Sequence, residues 1–71
     1  MTRYLIIIEK TATGFSAYSP DLPGCVATGA TREAVEAEMQ SAIEFHLEGL
    51  REAGEPVPTP STEAAYCEAS V

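Results

Sequence analysis

The sequence predicts a small α+β domain, a short antiparallel sheet in the order β-β-β-α-β with one long helix on one face. Three observations carry this. An apolar, β-branched run, Arg3–Glu9, opens the chain, and a glycine-bearing turn then leads to an alternating run, Phe15–Ser19. A longer stretch, Arg32 to Ala53, has its apolar residues at helical spacing between a good N-cap and a good stop. Finally, 71 residues suffice for one domain and no more, so residues 1–71 are read as a single unit.

Each element has its own reason. Tyr4-Leu5-Ile6-Ile7-Ile8 is apolar on both parities, which predicts a strand buried on both faces and therefore central. Lys10–Gly14 is a hairpin loop with its glycine late. Phe15–Ser19 alternates and makes the second strand. Pro20-Asp21-Leu22-Pro23-Gly24 then breaks the sheet pattern, since two prolines remove two donors and Gly24 permits a positive φ. Its chemistry reads as exposed. Cys25–Thr28 is a short third strand, ended by Gly29.

Thr31 caps a helix whose first turn carries Glu33 and Glu36, well placed for the helix dipole. The apolar stripe is Val35, Met39, Ala42, Ile43, Leu50 and Ala53, with His46 near its middle. Gly54 and Pro56 stop the helix after about 33 Å. Gly49 inside it costs about 1 kcal/mol relative to alanine, and a close backbone approach is one reason to keep it. Proline at every second position from Pro56 to Pro60 enforces extended geometry. Residues 65–71 then read as a last edge strand in preference to a frayed tail.

Composition narrows the function. The net charge is −7, from 11 acids and 4 bases. Four scattered bases argue against direct nucleic-acid binding, which needs clustered Lys and Arg. A basic partner would instead be attracted. The longest apolar run is far too short to span a membrane, and it lacks a signal-peptide cleavage site. Cys25 and Cys67 are too few for a disulfide framework and point to a reducing, cytoplasmic setting. With His46 they match no metal-binding spacing, so the expectation is no metal, no cofactor and two free, buried thiols. A nuclease would need converging carboxylates, whereas Glu9 and Asp21 lie near strand ends and most other acids lie on the helix. No helix N-terminus or base activates Cys25. The chain is read as no enzyme.

One sheet face stays unsolved. A single helix covers Tyr4, Ile6 and Ile8, leaving Leu5 and Ile7 facing water unless another chain covers them. Such patches mark interfaces, so a homodimer or tetramer using Leu5 and Ile7 is expected.

Taken together, Pro20-Asp21-Leu22-Pro23-Gly24-Cys25, the spaced Gly29 and Thr31, and Ile43-Glu44-Phe45-His46-Leu47-Glu48-Gly49-Leu50 followed by Gly54-Glu55-Pro56-Val57-Pro58 form a set. This set resembles the N-terminal domain of the HicB family of type II antitoxins, over roughly residues 3 to 71. The resemblance implies a partial RNase H-like fold without a nuclease site. It also implies a protein partner, HicA, a small basic mRNA-cleaving toxin whose catalytic histidine the antitoxin covers. Longer members carry a DNA-binding module, and this sequence shows no basic DNA-reading helix.

Two surfaces are candidates for the partner. Glu44, Glu48 and Glu52 lie at i, i+4 and i+8 on the helix. They form either an ordinary solvated face or an acidic surface kept for a basic partner. The rigid Pro20–Gly24 loop, with Asp21 its one acid, is either a strand connector or part of a recognition edge. An antitoxin-type binding module that neutralises a HicA-like toxin is the leading reading. The alternative is an orphan self-associating domain that retains no toxin partner.

Overall fold

The computed structural model describes residues 2–71. Three strands, β1 (Ile7–Lys10), β2 (Phe15–Tyr18) and β3 (Val26–Gly29), precede one helix, α1 (Arg32–Glu52). The sheet is antiparallel in the order β1-β2-β3. The α+β expectation holds, with three corrections.

First, β1 is an edge strand and not the central one. It pairs only over Ile7–Lys10, while residues 3–6 are unpaired. Two tight connections make each strand pair with its sequence neighbour, which places β2 in the middle. Apolarity on both parities of β1 has a different cause: Tyr4, Ile6 and Ile8 pack on the core, and Leu5 and Ile7 are half-buried on the other side. The Ser19 hydroxyl is buried and donates to the Leu5 carbonyl at 2.9 Å, tying the unpaired segment down.

Second, residues 65–71 form no strand, and every one is exposed. The Cα radius of gyration, 13.9 Å, exceeds the roughly 11 Å expected of a compact chain this long. The C-terminal segment accordingly extends from the body without joining its core. Cys67 is therefore an exposed free thiol, and only Cys25 is buried as expected.

Third, the Pro20–Gly24 loop is not simply exposed. Its Leu22 is completely buried, as are Val35 and Met39 of α1. Two successive turns aim it inward. The Leu22 N–H donates to the Ser19 carbonyl at 3.1 Å, and the Cys25 N–H donates to the Leu22 carbonyl at 3.0 Å. Gly24, at φ 84°, closes the second turn.

The helix ends follow the cap chemistry. Thr31 Oγ1 accepts from the Ala34 N–H at 3.0 Å. At the other end Glu55 N–H donates to Leu50 O at 2.9 Å and Gly54 N–H to Arg51 O at 3.1 Å, with Gly54 at φ 72°. That pair of bonds is a Schellman cap. α1 lies across β3 and β2. Its approach requires small residues beneath it. Ala17 and Ala27 stand opposite each other in register, and a Cβ on Gly29 would come within 2.6 Å of the Val35 nitrogen. Gly49, in contrast, faces open space, so no close approach explains it.

Opposite effects are expected from the same substitution at these two glycines. Gly49→Ala should stabilise the fold by about 1 kcal/mol through helix propensity. Gly29→Ala should destabilise it, because backbone and not a flexible side chain blocks the new methyl group. Urea denaturation of both variants checks the signs.

Candidate functional site

No catalytic or metal constellation forms among the described residues: no three His, Cys, Asp or Glu side chains come together there. Cys25 is buried, and burial pushes its thiol pKa up, away from nucleophilic use. His46 sits half-buried on the flank of α1. The distinguishing chemistry is on the surface, in four places.

The first is a clamp at Asp21. One carboxylate oxygen, Oδ1, accepts from the Thr62 hydroxyl at 2.7 Å and the Ser61 hydroxyl at 3.2 Å. The other, Oδ2, accepts from the Ser61 N–H at 3.1 Å and the Thr62 N–H at 3.2 Å. Four donors favour the charged form. The pKa is lowered from 3.8, chiefly by the Thr62 hydroxyl, then by the Thr62 and Ser61 amides. Asp21 thus pins the chain that returns from α1. A second tether is the Tyr4 hydroxyl, which donates to the Pro58 carbonyl at 2.6 Å. Sequence reading placed Asp21 on the loop but gave no sign of its partners, which lie 40 and 41 residues away.

The second place is the acidic ridge. Glu44, Glu48 and Glu52 are all exposed on α1. Among the described residues the ion pair found is Arg32–Glu36, at 3.1 Å, so the ridge carboxylates are not held in salt bridges, with Arg51 the base nearest them along the helix. Beside them Phe45 is 81 % exposed. It falls outside the apolar stripe, and that break in register was the available signal for it.

The third is an open groove of about 570 Å³ on the β1 side of the helix, lined by Tyr4, Ile6, Met39, Ile43 and Leu47, with Glu36 and Glu44. The fourth is the sheet face away from α1. Ile7, Tyr18 and Val26 stand in one cross-strand row there. Tyr18 is 42 % and Val26 65 % exposed. Ile7 thus belongs to an uncovered apolar row, and Leu5 continues its parity.

A three-stranded sheet under one acidic helix, with no clustered catalytic groups among the described residues, is a small α+β domain whose working features are surfaces. Comparison with known proteins says which. Residues 4–70 match the family described as HicB_like antitoxin of bacterial toxin-antitoxin system. The chain is 37% identical over 65 residues to Antitoxin HicB 2 of Photorhabdus laumondii, covering 86% of this chain and 44% of that protein. It is 40% identical over 55 residues to an uncharacterized 14.9 kDa protein of Haemophilus phage HP1, covering 78% and 41%. The UPF0150 protein Ta0767 of Thermoplasma acidophilum is 31% identical over 62 residues, with 86% and 90% covered. A chain of the solved HicA3 and HicB3 toxin-antitoxin complex superposes with a TM-score of 0.73 at 37% identity, over 84% of this chain and 70% of that one. The chain belongs to the HicB-like antitoxin family. That family is one of non-enzymatic regulatory proteins, in keeping with the sequence expectation. The chain spans under half the length of the phage and Photorhabdus relatives. No described helix is long and apolar enough to cross a membrane.

The clamp gives a pH dependence. A carboxylate with a depressed folded pKa stabilises the folded arrangement above its unfolded pKa and loses that effect as pH falls through the folded value. The carboxylate's contribution to holding residues 61 and 62 is therefore present at neutral pH and is lost as acid protonates Asp21. In an NMR titration the Ser61 and Thr62 amide signals should move together with a midpoint below 3.8. Asp21→Ala should speed exchange of the same two amides at neutral pH and leave the α1 amides unchanged.

Proposed function

We propose that this domain is an antitoxin-type binding module that neutralises a small, basic, mRNA-cleaving HicA-type toxin in the cytoplasm. The observation that carries this reading is the exposed acidic ridge Glu44, Glu48 and Glu52 on a chain of net charge −7. Kinship with a chain of a HicA3–HicB3 complex supports it. Charge complementarity steers encounter and raises the association rate more than the final affinity. Occlusion of the toxin needs no chemistry from this chain. Asp21, the remaining candidate at the partner surface, contributes by holding the loop and the returning segment in one shape.

The test is reconstitution. Purified chain added to the HicA-family toxin of the same host should abolish RNA cleavage at a stoichiometric ratio. Inhibition should be established more slowly as salt rises, because screening shortens the reach of the ridge. Undiminished cleavage at excess chain would refute the role.

The uncovered row Ile7, Tyr18 and Val26 favours a second activity, self-association into a dimer or tetramer through the face that Leu5 and Ile7 share. Ile7→Glu places a charge in that row without entering the core. Analytical ultracentrifugation should show wild type as an oligomer and this variant as a monomer with unchanged circular dichroism. A monomeric wild type would remove the proposal.

A further inference from the structure

We propose that Phe45 is the apolar anchor by which the outward face of α1 grips its basic partner. The proposal rests on the toxin-binding reading above and says where on the helix the binding energy lies.

Phe45 is 81 % exposed although it stands in the middle of a well-packed helix. Residues three, four and seven positions away share its face. They are Glu38, Ser41, Glu48, Gly49 and Glu52, all exposed, and Ala42, which is half-buried against the core. Phe45 is not among the described residues that pack against the core. Gly49, one turn on, leaves open space beside the ring, since a Cβ there would meet nothing within 4 Å.

A single exposed apolar residue is ordinary on a protein surface. Here it is one part of a composite patch. Glu44, Glu48 and Glu52 run down the outward face, with Phe45 on one margin. On the other margin Ile43 and Leu47 line the open groove with Tyr4 and Ile6. An aromatic knob, a line of carboxylates and an apolar hollow thus share two turns of one helix. Interface hot spots have this composition: an aromatic anchor that becomes fully desolvated, ringed by polar groups that exclude water. The ring face also favours a cation, so Lys or Arg around the partner's pocket would gain from both the ring and the carboxylates.

Charge decides which partner fits. A second copy docking through this face would bring two sets of Glu44, Glu48 and Glu52 together, and like charges in contact oppose association. A basic protein with an apolar pocket rimmed by Lys or Arg meets no such penalty. The helix face and the sheet face therefore serve different partners.

The experiment measures binding kinetics of the full chain to the HicA-family toxin of the same host, with a catalytically inactive toxin as probe. Phe45→Ala removes almost no intramolecular contact, so its melting temperature should match wild type. Its affinity should fall at least about tenfold, mostly through faster dissociation. Glu48→Gln should slow association and flatten its salt dependence, with dissociation nearly unchanged. Phe45→Leu should recover part of the affinity. If wild type binds and Phe45→Ala binds within twofold of it, the anchor is refuted and the toxin-binding reading survives. If wild type does not bind the toxin, both fall. If Phe45→Ala instead alters only the oligomeric state, the face belongs to a second copy and the proposal is overturned.

Discussion

The burial of Leu22 is the constraint on which the rest of the domain depends. Among the described residues three large side chains are fully buried, and Leu22 is the one that no strand or helix supplies. Its burial is worth about 1.5–3 kcal/mol, a large share of the stability of so small a domain. The two turns that deliver it also fix the residue before it. Asp21 therefore projects from a rigid mount, and its carboxylate can meet four donors from Ser61 and Thr62 at once. A mobile loop would lose more conformational entropy on forming such a clamp. Core, loop and returning segment form one mechanical series, in which the surface feature is held by the buried one.

The helix is held in the same economical way. With so few large core residues, α1 must come close to the sheet to exclude water. Ala17, Ala27 and Gly29 permit that. Close packing on one face leaves the other faces bare, because a single helix cannot cover both sides of a sheet. The row Ile7, Tyr18 and Val26 follows directly from a sheet with one covering layer. The outward side of α1 is bare for the same reason.

Elements governed by local chemistry were legible in the sequence. The helix was readable, its start from Thr31 and its end to within a residue from Gly54 and Pro56, because cap geometry depends on nothing distant. The acidic ridge was readable because spacing alone defines it. What could not be read depends on contacts far apart in the chain. Strand order was misjudged because apolarity on both parities of β1 reflects an unpaired lead-in packed on the core. Residues 65–71 read as a last edge strand, but a strand needs a hydrogen-bonded neighbour, and none pairs there. Leu22 was hidden by the polar and proline-rich company it keeps. Whether Gly29 or Gly49 is kept for a close approach depends on what stands above each, which sequence does not show.

The outward face of α1 runs against the demands of stability, and that conflict is informative. Carboxylates at i and i+4 each cost an isolated helix about 0.2–0.5 kcal/mol, and an exposed phenyl ring forgoes the burial available to it. Gly49 adds a further propensity cost of about 1 kcal/mol. A helix selected only to cover this sheet would carry none of these, since lysine, alanine or glutamine would serve better at every one of those positions. The costs fall together, on one face and within three turns, and the buried face of the same helix shows none of them. Local rules broken in one place and obeyed elsewhere are the mark of a working surface. The surface is acidic and aromatic at once, so it suits a basic partner with an apolar pocket better than a second copy of itself. On the proposed reading, one side of the domain is left for such a partner and the other side of the sheet for a second copy.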